Sequence, residues 1–317
     1  MKKNPVNIIS GFLGSGKTTA IIQLLGQKTD DEHWAVVINE FGKISIDSQT
    51  IRSSSRSGTV YDISGGCICC SARGYFYENL TKIVLTGRYS RIIIEPSGLG
   101  GIDTVSEIVR LIPELSLMPV ICMVDIMAID NLRLQMNMIY KNQISKAELI
   151  IFSKCDLVNK SEQGRLIEKF TTVFPDKQGS LAYKSNLLTS LLNMDSQKKI
   201  KINQYRLISS TNPGLSDSYY QEKNYSFNAN IIFDLNLLTG FFILHPFIIR
   251  GKGRIRTENG WMLVNYTLTG STFEPCQENQ QSEIIIIAEK SSSDLFINLK
   301  TEIERSIISV PSESVFC

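Results

Sequence analysis

The chain has no apolar run approaching the ~20 residues that span a bilayer, so no transmembrane helix is expected. It has no excess of either charge: 33 Lys and Arg stand against 31 Asp and Glu, a formal net charge of +2. Without a long basic run there is no electrostatic case for nucleic acid. No internal repeat is present, which argues against a solenoid or propeller. Met1-Lys2-Lys3-Asn4-Pro5 leads at once into a core strand, so a signal peptide would have to be cut from that core and export is not expected. The seven cysteines are an odd number, with Cys67, Cys69 and Cys70 crowded together, a poor disulfide framework. The pattern suits a thiolate site in a reducing compartment, and the expected location is the cytoplasm.

The 317 residues are enough for two cores, because single cores stop growing near ~250–300 residues. The organising stretch is Ser10-Gly11-Phe12-Leu13-Gly14-Ser15-Gly16-Lys17-Thr18-Thr19, which matches G-x-x-x-x-G-K-[ST]. Val6–Ile9 before it reads as a buried strand and Ala20–Leu25 after it as an apolar-faced helix. In that setting glycines let backbone N–H groups turn toward phosphate oxygens, and the helix N-terminus adds partial positive charge. Gly11, Gly14, Ser15, Gly16, Lys17, Thr18 and Thr19 are the expected nucleotide-binding residues. Lys17 would reach the β- and γ-phosphates and the Thr18 hydroxyl would be a ligand for Mg²⁺.

Further apolar runs, Trp34–Ile38, Arg91–Gly98, Met118–Asp125 and Leu149–Phe152, read as strands buried on both faces, and Tyr75–Leu85 as a helix. The expected fold is α/β: a P-loop NTPase with a mostly parallel doubly wound sheet at residues 1–185. A polar linker follows at 186–224, then a smaller α+β domain at 225–317. In that domain Tyr225–Leu235, Phe247–Arg256, Trp261–Thr269 and Glu283–Ile287 read as strands and Ser293–Ser306 as a helix. Cys122 and Cys155 read as packing residues, and His33 and His245 as structural. Met123, Met127, Met136 and Met138 read as core or helix face.

Four stretches together resemble the CobW-type metallochaperone GTPases, relatives of HypB and UreG: the loop itself, Asn39-Glu40-Phe41-Gly42 with Ile46-Asp47, Gly65-Gly66-Cys67-Ile68-Cys69-Cys70, and Glu95-Pro96-Ser97-Gly98-Leu99. Gln143-Ile144 with Ala147-Glu148 resembles the run before the family's base-reading motif. Arg250-Gly251-Lys252-Gly253 resembles a basic-glycine turn of the C-terminal domain. The resemblance implies a GTPase working with GTP, GDP, Mg²⁺ and zinc or a related transition metal, and a client metalloprotein as partner. It implies Lys17, Thr18, Glu95 and Gly98 as the catalytic set, with Thr18, Glu95 and Asp47 around Mg²⁺. The Asn39–Asp47 and Glu95–Gly101 segments would be the two switches.

The sequence also departs from the family. Ser153 replaces Asn in the base-reading motif Ser153-Lys154-Cys155-Asp156, so weaker or looser guanine recognition is expected. Two histidines leave no room for a histidine-rich metal store. No glutamine in the motifs is placed to orient the attacking water, so slow intrinsic hydrolysis is expected. In an extended segment Cys67 and Cys69 share a face, and a turn would bring in Cys70. Three thiolates suit Zn²⁺ or Cu⁺, with Glu40, a water or a client to complete the shell. The competing readings are buried small hydrophobes or a thiol redox switch. For the whole chain the competitors are a small-molecule kinase and a nucleotide-binding redox sensor. Oligomeric state is open.

Overall fold

The computed structural model describes residues 3–39, 58–63, 70–98, 101–177, 179–181, 192–193, 220–289 and 299–309, and the chain divides into two compact units, Met1–Pro213 and Gly214–Cys317. The first is built on one sheet whose strands are β1 (Asn4–Gly11), β2 (Trp34–Ile38), β3 (Gly58–Asp62), β4 (Arg91–Glu95), β5 (Leu115–Leu117), β6 (Ile121–Asp125), β7 (Leu149–Ser153) and β8 (Gly179–Leu181). Their order is β3-β2-β4-β1-β6-β7-β8, and every pairing is parallel. β5 lies against Asn4–Val6 and β6 against Ile9–Gly11, so the two run end to end along one edge of β1.

Helices fill the crossovers, as a parallel sheet requires. They are α1 (Lys17–Gln27), α2 (Cys70–Leu85), α3 (Ile102–Leu111), α4 (Leu132–Met136), α5 (Met138–Lys146) and α6 (Lys160–Val173). Burial on both faces explains the apolar runs: Trp34, Ala35, Val36, Val37 and Ile38 are all buried, as are Ile92, Ile93 and Ile94. Two strands are shorter than expected. β4 stops at Glu95 because Pro96 has no N–H for a ladder. Residues 118–120 bridge β5 to β6, with Met118 N–H donating to the Val6 carbonyl at 2.9 Å. The methionines divide between the two readings: Met123 is core, whereas Met136 and Met138 lie on exposed helix faces, 80% and 68% exposed.

Chain order changes direction at β1, since the loop after it leads to β2 on one side while β6, β7 and β8 extend the other. In open α/β sheets such a point leaves a crevice at the carboxyl ends of the strands. The organising loop opens into that crevice.

The second unit contains β9 (Tyr220–Asn228), β10 (Ile232–Phe233), α7 (Leu235–Leu244), β11 (Ile248–Thr257), β12 (Gly260–Thr267), β13 (Gly270–Pro275), β14 (Gln281–Glu289), α8 (Leu299–Glu304) and β15 (Ile307–Ser309). β9, β14, β11, β12 and β13 form antiparallel neighbours. Two expectations need correction. Tyr225–Leu235 is not one strand: the chain turns after Asn228, and Asp234 caps α7 by accepting from the Asn236 and Leu237 N–H groups at 2.7 and 3.0 Å. Arg250-Gly251-Lys252-Gly253 is no turn but the interior of β11. A Cβ on Gly251 would lie 2.3 Å from the Phe242 ring and one on Gly253 2.2 Å from the Glu283 carbonyl, so these glycines admit close packing. His245 is structural as read, its Nδ1 2.7 Å from the Phe241 carbonyl.

Glu222 on β9 stands opposite Ile287, and its Oε2 has no hydrogen-bond partner. Burial pushes its carboxyl up to about 7. The folded pKa therefore exceeds the unfolded one. The group costs little at pH 4, where both states are mostly protonated. The cost grows as pH rises above the ordinary value of 4.5, where the unfolded chain ionises first, and is complete once pH passes about 7, where the folded carboxyl ionises as well. Glu222→Gln removes this term. In chemical denaturation the variant is expected to exceed the parent in stability at pH 8 and to converge with it at pH 4. An equal difference at both pH values contradicts the assignment.

Candidate functional site

The loop backbone is fixed by what surrounds it. Gly11 has φ +144°, and a Cβ there would lie 2.4 Å from both the Met123 carbonyl oxygen and the Ser15 Oγ, so only glycine fits. Gly16, at φ +88°, turns the chain into α1. Ser10 Oγ donates to the Ile121 carbonyl at 3.0 Å, which ties the end of β1 to β6. Ser15 N–H donates to the Phe12 carbonyl at 3.2 Å and closes the turn. Lys17 is buried, and its Nζ donates to the Gly11 and Phe12 carbonyls at 3.0 and 3.3 Å, which lays it along the inner side of the loop.

At the start of α1, Thr18 Oγ1 donates to Glu95, with Oε1 at 3.2 Å and Oε2 at 3.4 Å. Glu95 ends β4 and is only 5% exposed. A buried carboxylate beside a threonine hydroxyl is a hard-oxygen pair, the donor chemistry that suits Mg²⁺. Asn39 follows β2, its N–H donating to the Glu95 carbonyl at 2.9 Å. Buried polar side-chain atoms normally have partners, yet Ser15 Oγ, Asn39 Oδ1 and Gln143 Oε1 have none. All three lie in or against segments at the carboxyl edge of the sheet. A cradle that excludes a Cβ, together with polar atoms lacking partners, fits a bound polar group at this edge.

The residues of the Ser153–Asp156 motif take three different placements. Ser153 is buried, and its Oγ donates to the Ser15 carbonyl at 2.8 Å, so its hydroxyl braces the phosphate loop. Lys154 adopts φ +58°, a left-handed conformation uncommon outside glycine, and its Nζ pairs with Asp125 Oδ2 at 2.7 Å. Asp156 is exposed in the short turn Cys155–Leu157. Cys155 Sγ donates to the Phe152 carbonyl at 3.1 Å, and burial pushes the Cys122 thiol up to about 12, as packing cysteines require.

Gly98 packs against the loop, since a Cβ on it would lie 2.6 Å from Leu13 Cδ2. The structure thus brings together Gly11, Ser15, Gly16, Lys17, Thr18, Glu95, Gly98 and Ser153. Glu40, Asp47, Cys67 and Cys69 lie outside the described residues, as does the Cys70 side chain, although Cys70 begins α2. Among the described residues no three His, Cys, Asp or Glu side chains gather as a metal site, and no helix is long and apolar enough to cross a membrane. Two site residues were given no role by the sequence reading. Asp125 ends an apolar strand just as Glu95 does, a signal that was present. Gln143 was marked only by the resemblance of Gln143-Ile144 to the run before the base-reading motif.

Residues 5–180 match the nucleotide-binding domain of CobW, HypB and UreG. The zinc chaperone YeiR of Escherichia coli is 34% identical over 161 residues, covering 50% of this chain and 48% of that protein. The zinc-regulated GTPase metalloprotein activator 1 of Dictyostelium discoideum is 35% identical over 109 residues, covering 31% and 23%. The chain thus spans about half the length of the first relative and less than a quarter of the second. The zinc-bound YjiA GTPase structure from E. coli aligns over 96% of this chain and 99% of that one at 15% identity, with a TM-score of 0.46 that carries no functional weight. With more than half its length matched and the loop geometry in place, the chain belongs to the CobW/HypB/UreG nucleotide-binding family.

Proposed function

We propose that this chain hydrolyses GTP and couples its nucleotide state to the handover of zinc to a client metalloprotein. The contact of Thr18 with the buried Glu95 carries the reading. It supplies oxygen donors where the loop meets the first helix, the position at which a triphosphate needs its charge balanced. Mg²⁺, when held by Thr18 and Glu95 with Asp47 behind its waters, supplies neutralisation of charge on the β- and γ-phosphates.

The chain's own groups do the rest. Lys17 moves from the Gly11 and Phe12 carbonyls to phosphate oxygens. The N–H of Gly98, packed on Leu13, meets the γ-phosphate. Asp156 accepts the guanine N–H groups, while Lys154, held by Asp125, lines the base. With Ser153 bracing the loop, discrimination against adenine rests mainly on Asp156.

Zinc is the cargo in this reading, taken up by Cys67, Cys69 and Cys70 with Glu40. The names of the relatives, zinc chaperone and zinc-regulated activator, support zinc as the metal. Continuity of chain supports coupling. Cys70 opens α2, and Arg73 on that helix pairs with Glu107 of α3 at 2.9 Å. The α3 helix begins at Ile102, directly after the second switch. An exposed pair of this kind contributes at most about 1 kcal/mol, so coupling depends on the two helices moving together rather than on that bond.

Two outcomes are expected. Glu95→Gln lowers kcat for GTP by about a hundredfold or more, the scale for losing one group that stabilises transition-state charge. Phosphate-release assays read this, and undiminished turnover removes Glu95 from the machinery. Replacing Cys67, Cys69 and Cys70 together by Ser lowers zinc affinity by more than about a hundredfold in competition with a chromophoric chelator. Unchanged affinity removes the cysteines from the metal site.

A further inference from the structure

Helix α5 touches two parts of the candidate site, the loop after β1 and the segment after β4. Tyr140 is buried with its ring edge-on to Phe12 of the loop, centroids 6.1 Å apart at 85°. One turn further along, Gln143 is 3% exposed, and its Nε2 donates to the Gly98 carbonyl at 2.7 Å. Gly98 is thereby held from both sides. Leu13 leaves no room for a Cβ on one side, and Gln143 grips the carbonyl on the other. The remaining polar atom of Gln143, Oε1, is buried with no hydrogen-bond partner. An amide placed only to fill space would be better served by an apolar side chain, because a buried acceptor left unmet is destabilising.

We propose that Gln143 is a positioning residue for nucleotide discrimination. Resting on the GTPase reading above, it assigns to Gln143 the task of setting how the second switch meets the γ-phosphate. With Nε2 the side chain fixes the Gly98 carbonyl, and with it the turn that carries the Gly98 N–H. Oε1 is the acceptor for a backbone N–H of the same segment in its triphosphate-bound arrangement. Gln143 therefore favours the GTP state without touching the nucleotide, and contributes little to binding of GDP, which has no γ-phosphate to meet.

The test measures affinity for GDP and for the β,γ-imido analogue of GTP, with steady-state GTP turnover, in the full chain and in Gln143→Met and Gln143→Glu. Methionine keeps the length and removes both polar atoms; glutamate keeps the shape and the acceptor and removes the amide donor. In both variants GDP affinity is expected to stay within about threefold of the parent while analogue affinity falls by about tenfold. The fall in kcat should exceed any change in KM. A purely structural role would weaken both nucleotides alike, and that result, or unaltered discrimination, overturns the proposal. If Gln143→Met does not fold, Gln143→Glu decides alone. A parent chain that binds neither nucleotide overturns the GTPase reading and this proposal together. A parent that binds both, with discrimination unmoved in the variants, overturns only the role of Gln143.

Discussion

A side chain at position 11 has nowhere to go. The Met123 carbonyl and the Ser15 hydroxyl already occupy the space a Cβ would need, each at 2.4 Å. That exclusion admits only glycine where β1 ends and the loop begins. Around this point Ser10 bonds to β6 and Ser153 bonds back to the Ser15 carbonyl. The loop is thus clamped by the strands on one side of β1, and Glu95 on β4 reaches Thr18 from the other. A site assembled from both sides of the strand where chain order changes direction is what a doubly wound sheet offers to phosphates.

The clamped loop also sorts rigid from movable parts. Lys154 and Asp125 hold each other across neighbouring strand ends, so this side of the site is set by paired strands. On the phosphate side, contacts reach segments that follow strands rather than lie in them: Asn39 after β2 and Gly98 after β4. Each has a buried polar atom without a partner close by, Asn39 Oδ1 in one case and Gln143 Oε1 in the other. Such atoms belong where a second arrangement supplies the missing partner. In the proposed cycle these segments answer to the γ-phosphate, and the cysteines, two ahead of α2 in sequence and Cys70 at its first position, answer to them.

The sequence made the first unit legible where local chemistry decided the outcome. The loop motif, the all-apolar strands and the acid ending β4 were each visible in a few adjacent residues. Legibility failed where distant residues decided. Ser153 resembled a damaged base-reading residue, but its hydroxyl serves a carbonyl 138 positions away. Gln143 stood in a run that the resemblance marked, but its bond to Gly98 spans 45 positions and nothing nearby points to that partner. In the second unit, Leu235–Leu244 is mostly apolar, broken only by Asn236, Thr239 and Gly240, so its helical period is weak and the cap at Asp234 is the better signal for a helix. The glycines of Arg250–Gly253 suggested a turn because their reason, a phenylalanine ring and a neighbouring backbone packed on the strand, appears only in the fold.

The central claim is that the nucleotide and zinc are felt by one another. It is tested most directly by measuring zinc affinity with a competing chromophoric chelator in two states, one saturated with GDP and one with a non-hydrolysable GTP analogue. The account predicts a clear difference, about tenfold or more, between the two states, the scale of an ordinary coupling free energy. Equal zinc affinity in both states contradicts it.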